Sequence, residues 1–145
     1  MKTLLLALLL AAGSLQDKPQ RALDLLDESG QQYEKSGSGW TVKFTGNNLK
    51  EVSIYVAQTD TVIVLGSLVA LKSEVRDVTG LNDALLRANE EYDYVKIVID
   101  SDGDYLVRLD LLAQGLTAKA FGDHLVQVAT VTDLLKPTID KFKKK

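Results

Sequence analysis

Tyr94-Val95-Lys96-Ile97-Val98-Ile99-Asp100-Ser101-Asp102-Gly103-Asp104-Tyr105-Leu106-Val107-Arg108-Leu109-Asp110-Leu111 decides the fold. Two runs rich in Val, Ile, Tyr and Leu flank an acidic turn, which reads as an antiparallel β-hairpin. Its loop length can be settled by parity. A two-residue Asp102-Gly103 turn would set Ile97 opposite Arg108 and mix the faces. A three-residue Ser101-Asp102-Gly103 loop, with Gly103 in the left-handed bulge position, sets Ile97 opposite Val107 and Ile99 opposite Tyr105. A one-residue slip inverts every side chain, so the odd-length loop is expected. Lys96, Arg108 and Asp110 then share the wetter face. After Gly115-Leu116-Thr117, Phe121, Leu125, Val128, Val131 or Thr132, and Leu135 recur at helical steps. Thr117 is the expected N-cap, and Pro137 is expected to end or kink this helix, with 138–145 forming one further turn.

Upstream, a helix is expected between 68 and 93, with Asn82 as N-cap and Leu81, Leu85 and Ala88 on one side; Gly80 is a candidate breaker. Before it lie three alternating strands. Trp40, Val42 and Phe44 share one face of the first, and Val52, Ile54 and Val56 one face of the second. The third, Thr61-Val62-Ile63-Val64-Leu65-Gly66, is apolar on both faces and so belongs at the centre of a sheet or under a covered outer face. A short helix over 18–29, stopped by Gly30, opens the domain. The expected order is α-β-β-β-α-β-β-α, an α+β fold with a five-stranded, twisted antiparallel sheet and helices packed against it.

Residues 1–16 stand apart from this pattern. Lys2, the apolar run 4–12 and the small residues Ala11-Ala12-Gly13-Ser14 have the form of a cleaved secretory signal. The run is too short to span a ~30 Å hydrocarbon core, and no Cys follows it to carry a lipid anchor. Export to the periplasm or beyond is therefore expected, with 17–145 as one domain. Cysteine is absent, which excludes disulfides, thiol catalysis and thiolate metal sites. With 17 basic against 20 acidic residues and a net charge of -3, a nucleic-acid partner is not expected. Lys141, Lys143, Lys144 and Lys145 read as a solvated tail, or as a weak contact for anionic lipid or wall polymer.

Few residues offer chemistry. Asp100, Asp102 and Asp104 alternate like the start of a calcium loop. Gly103, however, falls at the fourth loop position where a calcium loop needs it at the sixth, and Leu111 occupies the twelfth, where a bidentate Glu belongs, so a turn is the better reading. His124 is the single histidine and has no nucleophile elbow to serve. Ser36-Gly37-Ser38-Gly39 lacks the Lys-Ser/Thr ending of a phosphate loop and precedes a strand. Glu90, Glu91 and Asp93 lie in a polar helix end without the burial that would split an acid from a base. No catalytic residue, cofactor or metal site is expected. Trp40, with Tyr33 and Tyr55, is a candidate lining for a partner groove, and Trp40, Tyr55, Lys96 and Arg108 are the candidate binding residues.

These residues carry a family resemblance. Asn89 near the end of the middle helix, Asp100-Ser101-Asp102-Gly103 at the hairpin, Asp110-Leu111 at the strand end and Gly115-Leu116-Thr117 before the last helix resemble the YbjN family. That family is described as regulators of bacterial sensory transduction and has a type III secretion chaperone-like fold. Many members carry a second Asn or a Trp near the middle helix end, where this chain has Glu90-Glu91, and many lack an export signal. The resemblance implies a dimeric, non-enzymatic, chaperone-like domain that engages a protein segment or its own copy. The alternative is a carrier of a small apolar or lipid ligand in the sheet–helix groove.

Overall fold

The computed structural model describes residues 21–144. The expected signal segment, 1–16, lies outside the described residues. Within them the order is α1 (Ala22–Ser29), β1 (Tyr33–Ser36), β2 (Gly39–Phe44), β3 (Val52–Gln58), β4 (Val62–Ala70), α2 (Val78–Ala88), β5 (Lys96–Ile99), β6 (Tyr105–Leu112) and α3 (Ala118–Asp140). The strands form one antiparallel sheet in the order β1-β2-β3-β4-β6-β5. The sheet thus has six strands, not the five expected. The added strand, β1, pairs Tyr33 with Val42 and Ser36 with Gly39, so Gly37-Ser38 is a tight hairpin turn with Gly37 at φ 56°. Tyr33-Glu34-Lys35-Ser36 has no apolar alternation. Pairing with β2, not its own pattern, makes it a strand.

The β5–β6 hairpin has the odd-length register. Ile97 opposes Val107 and Ile99 opposes Tyr105, and Asp100 N–H donates to Asp104 O at 2.9 Å across the loop with Gly103 at φ 88°. β4 is central, between β3 and β6, as its apolar run requires.

All three helices cover one face. α1 and α3 pack on each other and over β3, and α3 also lies on β4 and β6, while α2 leans on β5. Ile54, Val56, Ile63, Leu65 and Val107 from the sheet meet Leu25, Leu26, Leu81, Phe121, Leu125 and Val128 from the helices, all essentially without solvent exposure. Burying side chains of this size stabilises the fold by about 1.5–3 kcal/mol each.

Helix boundaries follow their caps. Thr117 Oγ1 accepts from Ala120 N–H at 3.1 Å, as expected, and Gly30 closes α1 at φ 70°. The N-cap of α2 is Asp77, not Asn82: its carboxylate accepts from Gly80 N–H at 2.9 Å. Gly80 does not break the helix. It admits the cap and Phe142, because a Cβ there would lie 2.3 Å from Asp77 Oδ2 and 2.8 Å from Phe142 Cε1. α3 continues past Pro137 to Asp140. Among the described residues no helix is long and apolar enough to cross a membrane.

Candidate functional sheet face

Among the described residues no helix covers the face of the sheet away from α1, α2 and α3. Side chains alternate along a strand, so each residue that points from the core has its neighbours in a row across the strands. The pairings Glu34–Thr41, Thr41–Tyr55, Tyr55–Gly66, Gly66–Arg108 and Arg108–Lys96 join one residue from every strand into a single row. On one side of it lie Ala57, Val64 and Asp110, and on the other Leu68, Leu106 and Val98. The centre is apolar and accessible: Tyr55 is 38% and Leu68 52% exposed. Gly66 leaves a gap in the middle of the row, with nothing within 4 Å of where a Cβ would stand. A shallow depression of about 440 Å³ runs over Tyr55, Val64, Gly66, Leu68, Leu106 and Arg108.

Charge sits at the two margins. On the β5–β6 side, Lys96 Nζ and Arg108 Nε reach opposite oxygens of Asp110 at 2.7 and 2.8 Å. Partial burial pushes the Asp110 carboxyl up, but hydrogen bonds from Lys96 and Arg108 outweigh it and hold the group below its ordinary value. Two cations share one carboxylate there. On the β1–β2 side the balance is reversed, with Glu34 and Glu51 at 3.9 and 3.8 Å from Lys43.

Three of the four expected binding residues, Tyr55, Lys96 and Arg108, meet in that single row. Trp40 does not join them. It pairs with Val56, on the helix side of the sheet, and Lys35 Nζ sits 4.3 Å from its ring centroid. Tyr33 shares the helix side, so the sheet divides the aromatic group read from the sequence.

The remaining candidates have structural partners. Asp100 Oδ1 accepts from Asp102 N–H and Asp104 N–H at 2.9 Å each, and Asp104 Oδ1 accepts from Lys72 N–H at 2.7 Å. His124 lies 3.3 Å from Gln127 and edge-on to Tyr94, which holds a φ of 66°. Gln127 also donates to Asp93 O at 2.7 Å. Of the basic C-terminal run, Lys143 pairs with Glu74 at 3.0 Å and Lys144 N–H donates to Glu74 O at 2.8 Å, while Lys145 lies outside the described residues.

Comparison with known proteins agrees with this architecture. The family described as "YbjN: Putative bacterial sensory transduction regulator" matches residues 20–141. The chain belongs to the YbjN family. Among solved structures it is similar to E. coli YbjN, described as a putative transcription regulator, at 18% identity and a TM-score of 0.57, over 85% of this chain and 93% of that one. It is also similar to a chain of the ExsC–ExsE complex at 12% identity and a TM-score of 0.56, over 80% and 88% of the two chains. The fold is type III secretion chaperone-like. None of the curated proteins matches the chain.

Within this YbjN fold, two residues have roles that sequence reasoning missed. Asn89, at the end of α2, accepts from Ile97 N–H at 2.7 Å and donates to Ile97 O at 3.3 Å. Its amide takes the place of a neighbouring strand beside β5, the last strand of the sheet. Asp133, buried on α3, accepts from Asn47 N–H, Asn48 N–H and Leu49 N–H at 3.0, 2.9 and 2.7 Å. Burial pushes its carboxyl up, yet the backbone N–H groups of Leu49, Asn47 and Asn48 and the Asn48 amide outweigh that and hold it low. Pro137, four residues on, has no N–H for the Asp133 carbonyl, and Asn48 Nδ2 supplies a donor to it at 3.2 Å. The only signal for this clasp in the sequence is an acid on the apolar stripe of a helix.

Proposed function

We propose that this chain is an exported, non-enzymatic binding domain that engages a protein surface through the bare face of its sheet. The observation that carries the reading is the face itself. Six strands present a continuous row with an apolar centre and charged margins, and α1, α2 and α3 all lie on the opposite side. Exposed apolar surface rimmed by polar groups marks interaction sites. The ExsC–ExsE complex supports the reading, because it places a protein-binding role on a similar fold. Binding is favoured over catalysis because Asp110 and Asp133, the carboxyls held below their ordinary value on the sheet and on α3, are consumed by structural partners. Export rests on Lys2, the apolar run 4–12 and the small residues up to Ser14.

A photo-crosslinking amino acid in place of Leu106 tests the face in the host, with Lys119 on the solvent side of α3 as control. Adducts from position 106 alone support the reading, and equal yields from both positions would sink it. N-terminal sequencing of the envelope fraction tests export: the protein should begin within a few residues of Ser14.

A second reading, a carrier of a small apolar ligand, draws on a groove of about 310 Å³ between α2 and β5 lined by Leu85, Leu86, Ile97, Ile99 and Tyr105. Native mass spectrometry of protein from its host separates the two, since a carrier retains a discrete added mass.

A further inference from the structure

We infer that the groove between α2 and β5 takes an amphiphile with a primary ammonium head and an alkyl tail. The inference rests on the carrier reading of that groove, names the class of ligand, and is independent of the sheet face.

The groove is apolar yet open to solvent. Leu85 and Tyr105 are buried in it, while Leu86 on α2 is 72% and Ile99 on β5 51% exposed. One exposed apolar residue is ordinary, but two on opposite elements of one groove of about 310 Å³ mark a place for a ligand tail. Polar groups stand open at one end of it. Asn89 satisfies the outward N–H and C=O of Ile97. Outward and inward groups alternate along an antiparallel strand, so the N–H and C=O of Ile99 also point away from β6. Among the described residues no hydrogen bond reaches either group. The next residue, Asp100, turns Oδ1 to Asp102 N–H and Asp104 N–H, and no described donor reaches its other oxygen.

Charge selects the head group. From Asn82 to Asp104, the span that supplies the groove, the chain carries seven acidic residues and two basic ones. Both basic residues are already paired, Arg87 with Asp83 at 3.0 Å and Lys96 with Asp110 at 2.7 Å on the other face of the sheet. Lys72 brings its stem against Gly103 at the hairpin tip, but its ammonium makes no described ion pair with the three aspartates there. An acidic surround on an apolar groove favours a cation that carries a tail. A primary ammonium has three donors, and the Ile99 carbonyl and the open Asp100 oxygen are acceptors for them. Ile99 N–H and the Asn82 amide, whose Oδ1 accepts from Tyr105 OH at 2.9 Å, are donors that a carboxylate head would use, but the surrounding acids oppose an anion.

Isothermal titration of the full-length chain with decylammonium, decyltrimethylammonium and decanoate, each below its micelle concentration, tests the inference. Decylammonium should bind saturably, one per chain. Decyltrimethylammonium keeps the charge and the tail but has no N–H donor, and should bind about fivefold more weakly; decanoate should not bind measurably. Octylammonium, two methylenes shorter, should bind about tenfold more weakly than decylammonium. Leu86→Gln, at an exposed position, should abolish binding with the Tm unchanged. Asp100→Asn keeps an Oδ1 acceptor for the turn and should weaken decylammonium about fivefold. Equal affinity for decanoate and decylammonium would overturn the ligand class and leave the carrier reading standing. No saturable binding of any probe, or binding indifferent to Leu86→Gln, would overturn both. A dimer that Leu86→Gln dissociates would show a second copy in the groove, and that too would overturn the inference.

Discussion

Asn89→Ala removes the amide that closes the edge of β5. Two hydrogen bonds are lost, a short one from Ile97 N–H at 2.7 Å and a long one to Ile97 O at 3.3 Å. A hydrogen bond contributes about 0.5–1.5 kcal/mol net, and the longer one belongs at the bottom of that range. Asn89 is only half-buried, so water can reach the freed groups and return part of the loss. The expected destabilisation is about 1.5 kcal/mol, or roughly 5 °C in Tm for a domain of this size. Urea unfolding should show a lower midpoint with an unchanged slope. Hydrogen exchange supplies the local readout. The Ile97 amide, on the outer edge of the sheet, should be protected in the parent and exchange much faster in the variant under native conditions. A variant within about 0.3 kcal/mol of the parent, with Ile97 still protected, would refute the claim that this amide stands in for a strand.

Other expectations follow from the same contacts. Asp133→Asn sets an amide NH2 where one carboxylate oxygen stood, against Asn47 N–H or against the Asn48 and Leu49 N–H pair, and should destabilise at neutral pH. The parent's folded carboxyl is held low, so its contribution is present above the unfolded value near pH ~4 and lost as pH falls through the folded one. The gap in urea midpoint between parent and variant should therefore narrow from pH 7 to pH 3, and a constant gap contradicts the clasp. Gly80→Ala should destabilise by about 1 kcal/mol despite alanine's better helix propensity, because the new methyl displaces the Asp77 cap; a raised midpoint would show that the cap can move aside. Tyr94→Gly should stabilise by about 0.5–1 kcal/mol, since Tyr94 is 75% exposed at a φ of 66°; a lower Tm would assign real weight to its contact with His124.

Much of the fold was legible because parity and periodicity are strict. The β5–β6 register followed from matching the faces of its two strands, which settled the odd-length loop, and Val52, Ile54 and Val56 fell on the buried face as their alternation implied. What escaped depends on partners distant in sequence. β1 carries no pattern of its own and exists because β2 offers it a ladder. Asp77 does not read as a cap in the sequence, because Gly80 has the form of a breaker unless Phe142 is known to pack against it. The candidate site was half legible. Tyr55, Lys96 and Arg108 come together because each alternates away from the core, while Trp40 parts from Tyr55 because β2 registers Thr41, not Trp40, against it. Apolar character on both faces of β4 located it at the centre of the sheet. It could not tell whether helices would cover the outer face, and among the described residues none of the three α-helices does.

The Asp133 clasp also sets an order of events in time. Asn48 finds its carboxylate 85 residues further along the chain, so in a chain that emerges N-terminus first the Asn47, Asn48 and Leu49 N–H groups of the β2–β3 tip meet only water until α3 arrives. Closing so long a loop is slow compared with local turns and hairpins. The first hairpins can form early, but their tip is tied only once the last helix has been made. A domain whose last helix completes its first hairpins stays open at that tip until the whole chain is present.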